Sequence, residues 1–210
     1  MDRPNLHRLI AVAVAVLSGF AVGHAAAQEA IGAVSRIQGE ASGTRGGPLA
    51  LNASVFLNET VTTGAAGRLE VTFKDNTRLT LGENAKLTLN RYVFNPAAGR
   101  GTIKFRVLGA FRFLSGQVSK LASANVSVTT SVATVGIRGT EFWGGPIDDQ
   151  ALGVFLVTGV VSVSNAAGEQ ILSRPGQGTN IATPGSAPGP VTFWPQDKVD
   201  RAVATVTFRQ

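Results

Sequence analysis

Apolar residues recur at every second position through much of the chain. Leu69, Val71 and Phe73 alternate with polar neighbours, Asp75-Asn76 supplies a tight turn, and Leu79 and Leu81 resume the same face. Gly82-Glu83-Asn84 turns the chain again before Leu87 and Leu89. Successive side chains of a strand point to opposite faces, so this period of two predicts three strands of a meander. The alternation returns at Ile103, Phe105 and Val107 and at Val126 and Val128, each run bounded by Gly, Asn or Ser. Val154 to Val157 and Val160-Val161 are unbroken apolar runs split by Gly159, as expected of strands covered on both faces. Asn165-Ala166-Ala167-Gly168 reads as the loop of a hairpin leading to Ile171-Leu172.

Short strands separated by regular turn signals predict an all-β domain: an antiparallel β-sandwich, a jelly roll or a short β-roll. No fixed repeat length is visible, which argues against a long solenoid. The Pro- and Gly-rich stretch Thr-Pro-Gly-Ser-Ala-Pro-Gly-Pro at 183–190 opposes regular pairing. The β domain is therefore expected over 28–182, a linker over 183–195 and a tail over 196–210. In the tail Val199, Ala202, Val203 and Val206 fit a short C-terminal helix, while Val206 and Phe208 also fit a strand.

The N-terminal 27 residues follow another pattern. Arg3 and Arg8 form a basic head, an apolar run extends from Leu9 to Val22, and Ala25 and Ala27 make an A-x-A site before Gln28. This is the layout of a cleaved secretory signal over 1–27. This run of 14 residues falls short of the roughly 20 that a bilayer-spanning helix needs. No other run approaches that length and no Cys is present to carry a lipid, so a soluble product in the periplasm or another exported compartment is expected, with no transmembrane segment after cleavage. A transmembrane barrel shares the export and the alternation, but one Tyr and two Trp are too few for two aromatic girdles.

Cleavage would remove His7, His24 and Met1, leaving a chain without His, Met or Cys. That excludes Cys/His zinc sites, imidazole-based hydrolysis, thiol redox chemistry and the usual haem ligands, and no cofactor is expected. Without disulfides, stability has to come from the core. The net charge of +6 falls to +5 with the leader gone. Its cations, among them Lys74, Lys86, Lys104, Lys120 and Arg138, are scattered singly, which fits a solvated surface better than a nucleic-acid stripe.

Arg138-Gly139-Thr140-Glu141 is the sharpest local constellation. It reads as a ligand clamp, in which a guanidinium holds a carboxylate or phosphate by paired hydrogen bonds. It also reads as a structural corner, in which Gly139 bends the strand, Arg138 pairs with an acidic neighbour and Thr140 satisfies turn backbone. Asp148-Asp149 could donate oxygens to Ca²⁺, but two adjacent carboxylates make a poor cage and a solvated hairpin tip suits them better. Phe105, Phe111 and Phe113 with Arg106 and Arg112 between them read as rings inward and cations outward. A glycosidase pair of carboxylates is the hydrolytic mechanism that survives the loss of histidine. There is no G-x-S-x-G, S-x-x-K or G-x-x-x-x-G-K-[ST] motif.

The order of several segments resembles the FecR family of periplasmic domains over roughly Ile31 to Ile181. Ile31-Gly32-Ala33-Val34 is similar to the family's opening strand, and Asn58-Glu59-Thr60-Val61-Thr62-Thr63-Gly64 to the segment before its first long hairpin. Gly67 to Leu79 corresponds to that hairpin, with Asn76 where Gly is usual. Thr130-Ser131-Val132-Ala133-Thr134-Val135-Gly136-Ile137-Arg138-Gly139-Thr140-Glu141-Phe142 is similar to the hallmark TP-x-A-x-x-x-(I/V)-R-G-T-x-F, with Ser131 in place of Pro. Val157 to Val163 and Pro175-Gly176-Gln177-Gly178 match its closing strands and turn.

Well-known members join a cytoplasmic segment that controls a sigma factor, a membrane helix, the periplasmic domain and a C-terminal region that meets the signalling domain of an outer-membrane transporter. The resemblance here implies the β-rich module, with a leader in place of the first two parts. Gly136, Arg138, Gly139, Thr140, Glu141 and Phe142 form the motif to follow, as structural corner or ligand clamp. The expected function is non-enzymatic recognition of an envelope or periplasmic protein, a transporter signalling domain among them, through loops or an open strand edge. The alternative is a carbohydrate-binding or carbohydrate-active protein that uses paired carboxylates. Sequence leaves the oligomeric state open.

Overall fold

The computed structural model describes residues 29–209, so the leader expected over 1–27 lies outside the described residues. The strands are Ala30–Gln38 (β1), Ala41–Gly43 (β2), Gly47–Pro48 (β3), Ser54–Phe56 (β4), Thr60–Thr63 (β5), Arg68–Phe73 (β6), Arg78–Leu81 (β7) and Lys86–Asn95 (β8). They continue with Arg100–Leu108 (β9), Phe111–Leu114 (β10), Ser123–Thr129 (β11), Thr134–Ile147 (β12), Gln150–Asn165 (β13), Gly168–Leu172 (β14), Gln177–Ile181 (β15) and Thr192–Phe193 (β16). A 3-10 turn, Gln117–Lys120, precedes β11, and one helix, Gln196–Ala204 (α1), closes the chain. The protein is all-β with a short C-terminal helix.

All the strands belong to one curled sheet in the order β3-β2-β5-β8-β9-β11-β12-β10-β7-β6-β1-β4, with β13 beside β12 and β14 and β15 branching from β13. Curling brings two limbs face to face. Phe73 of β6 packs on Phe105 of β9 with ring centroids 4.8 Å apart, and on Tyr92 of β8 at 5.8 Å. Leu69, Val71, Leu79 and Leu81 from one limb meet Leu87, Leu89, Ile103 and Val107 from the other in a single core. Each such side chain contributes roughly 1.5–3 kcal/mol on burial, which is why the inward half of the alternation is so uniformly apolar.

The β6–β7 hairpin forms as the alternation predicts, with Val71 opposite Leu79. Asn76 carries φ 64° at its turn, a left-handed value that Asn tolerates and Gly prefers. The third strand departs from the meander. β10 takes the free side of β7, Phe113 opposite Leu79, so β8 crosses to the other limb and pairs with β5 and β9. Leu87 and Leu89 still reach the same core. The sheet is also mixed, because β9 and β11 run parallel. Between them the chain visits the far limb as β10 and returns through the 3-10 turn. The two apolar runs around Gly159 form one strand, β13. Leu152 to Leu156 are buried on both faces, whereas Val160 is 37% exposed.

Asp75, fully buried, joins the pieces. Its carboxylate accepts hydrogen bonds from the Thr77 hydroxyl (2.7 Å), the Tyr92 hydroxyl (3.0 Å) and the Val118 N–H (3.2 Å). Burial, reinforced by the Asp75 charge, pushes the Tyr92 phenol well above its ordinary pKa.

Candidate functional site

β12 and β13 form a ribbon that belongs to both limbs. Thr134 to Ile137 pair with β11, and Glu141 to Gly144 pair with β10. On the partner strand Val161 to Asn165 pair with β14, and Leu152 to Phe155 with β15. The change of limb falls at Arg138-Gly139-Thr140-Glu141. Arg138 faces Val160, Glu141 faces Thr158 and Phe142 faces Leu156. An extra residue on β12 is thus followed at once by an extra residue on β13, and the original register resumes. Paired bulges of this kind bend the ribbon without slipping it.

Gly139 and Gly159 make the bend, with φ 60° and 85°. A Cβ on Gly159 would lie 2.3 Å from the Gly139 carbonyl oxygen, so only glycine fits there. Thr140 is buried and serves the backbone that the bulges release. Its hydroxyl accepts from the Val160 N–H (3.2 Å) and reaches the carbonyls of Val160 (2.8 Å) and Arg138 (3.0 Å), while its own N–H donates to Ser115 Oγ (3.0 Å). Phe142 is fully buried, edge-on to Phe111 at 5.7 Å. Phe105, Phe111 and Phe113 all lie inward while Arg106 and Arg112 are exposed.

Past the bend, Glu141 accepts hydrogen bonds from Arg112, from Nε at 2.7 Å and also from Nη2. Arg138 lies before the bend, is exposed, and has no ion-pair or hydrogen-bond partner for its guanidinium among the described residues. It stands instead over an open groove of about 480 Å³ on the outer face of β11 to β14, lined by Asn125, Gly136, Arg138, Val160, Ser162 and Ile171 among others. Gly136 leaves its floor low: a Cβ there would meet only Ser162 Oγ, at 2.7 Å. Ile171 is 58% exposed on β14, which pairs with β13 alone among the described strands. Sequence pattern alone did not mark Asn125, Val160, Ser162 or Ile171, because strand register assembles them and one sequence does not print register.

The other half of the ribbon is covered. Trp143 and Phe155 pack against Trp194 with ring centroids 6.1 and 5.4 Å away, and Ala202, Val199 and Val206 bring α1 and the residues after it onto these rings. Trp143 Nε1 donates to Thr205 Oγ1 (3.0 Å). The segment before α1 is tied in as well: Gly189 N–H donates to the Asn180 carbonyl (2.9 Å), and Asn165 Nδ2 to the Ser186 carbonyl (2.7 Å). Asp148 sits at the hairpin tip with φ 51°, and its carboxylate pairs with Lys198 (3.2 Å) and Arg201 (3.0 Å). Burial alone would raise the pKa of Asp148, but the hydrogen bonds and charges of the two cations outweigh it and hold the carboxyl below its ordinary range. No cluster of three or more potential metal-ligating side chains occurs among the described residues. The groove beside Arg138 is lined by no carboxylate, and a cleft of about 180 Å³ between Arg36, Arg78 and Arg112 by Glu70 alone.

Residues 59–162 match the family described as FecR protein, a span that is just under half of the chain and holds the whole corner. Two crystal structures of proposed anti-sigma factors from Parabacteroides distasonis ATCC 8503 share the fold. One aligns with TM-score 0.56 at 16% identity, over 69% of this chain and 63% of its own. The other aligns with TM-score 0.54 at 17% identity, over 69% and 64%. The chain therefore spans less than two thirds of the length of either. No curated protein matches it.

Proposed function

We propose, from the premise that this chain carries a FecR domain, that it is an exported, non-enzymatic interaction module of the envelope-signalling type, acting by contact with a partner protein. The observation that carries this reading is the open groove beside Arg138, where a guanidinium is engaged by no other described group and the apolar side chains of Val160 and Ile171 face solvent. A planar guanidinium offers paired donors to a carboxylate on a partner. The free edge of β14 beside it offers a row of main-chain N–H and C=O groups to an added strand. An envelope protein, such as the signalling domain of a transporter, fits that description when it presents an extended segment with an acidic side chain. The likeness to proposed anti-sigma factors supports a signalling setting. Glycoside cleavage gains no such support, since it asks for two facing carboxylates.

A photoreactive residue in place of Ile171 tests this in cells. It is expected to capture an envelope protein that the same probe at exposed Leu51 does not, and Arg138→Ala is expected to abolish the capture while leaving the melting temperature unchanged. Unfolding of Arg138→Ala, or capture indifferent to it, overturns the reading.

A further inference from the structure

Between Glu83 and Glu141 the sequence has eight lysines and arginines and no acidic residue. Each cation stands alone in sequence, and the fold gathers five of them. Leu87 and Leu89 on β8 and Ile103, Phe105 and Val107 on β9 point into the core, which turns Lys86, Arg100, Lys104 and Arg106 outward. Arg91 would face inward by the same count. The register shift between Leu89 and Arg91 re-aims it, so that Arg91 stands on the outer face directly opposite Lys104. All five are exposed, and none forms an ion pair with a described residue.

Like charges opposite one another destabilise a sheet. The bulge serves the core by turning Tyr92 inward to Phe73 and Asp75; the like-charged pair it leaves on the outer face, with no described acid paired to it, is the arrangement an external anion would stabilise. Next to β9 the parallel strand β11 sets Asn125 beside Thr102, Ser127 beside Lys104 and Thr129 beside Arg106, short polar side chains above which the cations project. Two apolar side chains share this face: Val93, 40% exposed opposite Thr102, and Leu108, 39% exposed opposite Lys86.

We propose that the outer face of β8 and β9 docks on the surface of a lipid bilayer that carries anionic phospholipid headgroups. Anionic headgroups in a plane match cations spread over two strands and roughly 26 Å along them. Val93 and Leu108 distinguish this occupant from a soluble polyanion: at a bilayer they enter the interfacial layer, whereas a charged polymer in water gives them nothing. Nucleic acid is disfavoured for a second reason. The rings of these strands, Tyr92, Phe94 and Phe105, pack on the core and leave no platform for base stacking. The proposal does not rest on the groove beside Arg138, which adjoins this face at Asn125.

Vesicle sedimentation of the protein purified from an exporting host tests it. Vesicles of mixed phosphatidylglycerol and phosphatidylcholine are expected to bind and vesicles of phosphatidylcholine alone are not, a contrast that any residual apolar leader would erase rather than mimic. Binding should collapse between about 0.1 and 1 M salt, where the screening length shrinks from about 10 to 3 Å. Lys104→Gln and Arg106→Gln should each weaken it about fivefold and Arg91→Gln by a similar factor, with melting unchanged or improved. Arg78→Gln, a cation on the other limb, should leave it unchanged. Equal loss in Arg78→Gln, equal binding to neutral vesicles, or binding to heparin or an oligonucleotide in the absence of vesicle binding overturns the proposal.

Discussion

The two halves of the β12–β13 ribbon share a backbone and differ in what lies on their outer face. Over Thr134 to Arg138 and Val160 to Asn165 one face packs on the core and the other is open, with small or polar side chains at Gly136 and Ser162 and, at Arg138, a guanidinium that pairs with no described residue. Over Glu141 to Ile147 and Gln150 to Thr158 the outer face carries Trp143 and Phe155, and the C-terminal helix lies over them. The difference is not one of strand propensity. It lies in which half presents large apolar area that has to be covered, and the bend at Gly139 and Gly159 separates the two regimes. Contact with other molecules is left to the open half, while the covered half spends its outer face on holding the tail.

The most damaging way to break this contrast is at the bend. Gly159→Ala places a methyl 2.3 Å from the Gly139 carbonyl oxygen at a φ of 85°, and both halves should lose their common register, at about 4 kcal/mol or more in denaturant melts. Gly136→Ala, two residues before Arg138, should cost little, because only the Ser162 hydroxyl has to move. It should nevertheless fill the groove floor and reduce partner capture. Equal destabilisation by the two alanines would show that the bend has no special place in the fold.

Next in size is the cover. Trp194→Ala removes the ring between Phe155 and Trp143 and is expected to cost about 3 kcal/mol. Amide exchange should rise over α1 and Leu152 to Leu156 while Val135 and Val161 stay protected; a uniform rise would erase the distinction between the halves. Thr140→Val should cost about 2 kcal/mol by leaving the Val160 N–H without its acceptor, read as a lower denaturant midpoint at constant slope.

Much of this contrast is legible in the sequence and some of it is not, for physical reasons. Leu69, Val71, Phe73, Leu79 and Leu81 declare one limb, because a half-buried strand has to alternate. Gly139 and Gly159 declare flexible points for want of a Cβ. The choice of β10 over β8 as the neighbour of β7 is invisible locally, since both strands offer equally apolar inner faces and long-range pairing decides between them. Arg138 and Glu141 look like partners three residues apart. The bend sends Glu141 to the other limb, where Arg112 takes it, and so Arg138 is left without a partner among the described residues. Asn125, Val160 and Ile171 meet only through register. The tail's spacing at Val199, Ala202 and Val206 gave the helix its apolar side, but not the rings that receive it.

The smallest expected effect concerns the polar rim of the cover. Asp148 holds Lys198 and Arg201 of α1, and Arg201 also pairs with Asp197 within the helix (2.7 Å). The hydrogen bond from Arg201 lowers the Asp197 carboxyl, and the two cations lower Asp148 against the opposing pull of burial. A carboxyl whose folded pKa lies below its unfolded one contributes stability that is complete above the unfolded value, here 3.8, and is lost as pH falls through the folded value. Docking of α1 should therefore be indifferent to pH down to about 4 and weaken below it, by a small amount because solvent screens these exposed pairs. The chain's two tryptophans, Trp143 and Trp194, both lie in the apolar cluster that α1 joins, so their fluorescence reports the cover alone. A red shift below pH 4 is expected while far-ultraviolet dichroism of the strands holds. Asp148→Asn should show the shifted emission already at neutral pH and a weaker acid response. An acid shift of the same size in Asp148→Asn would remove the rim from the account of why the covered half stays covered.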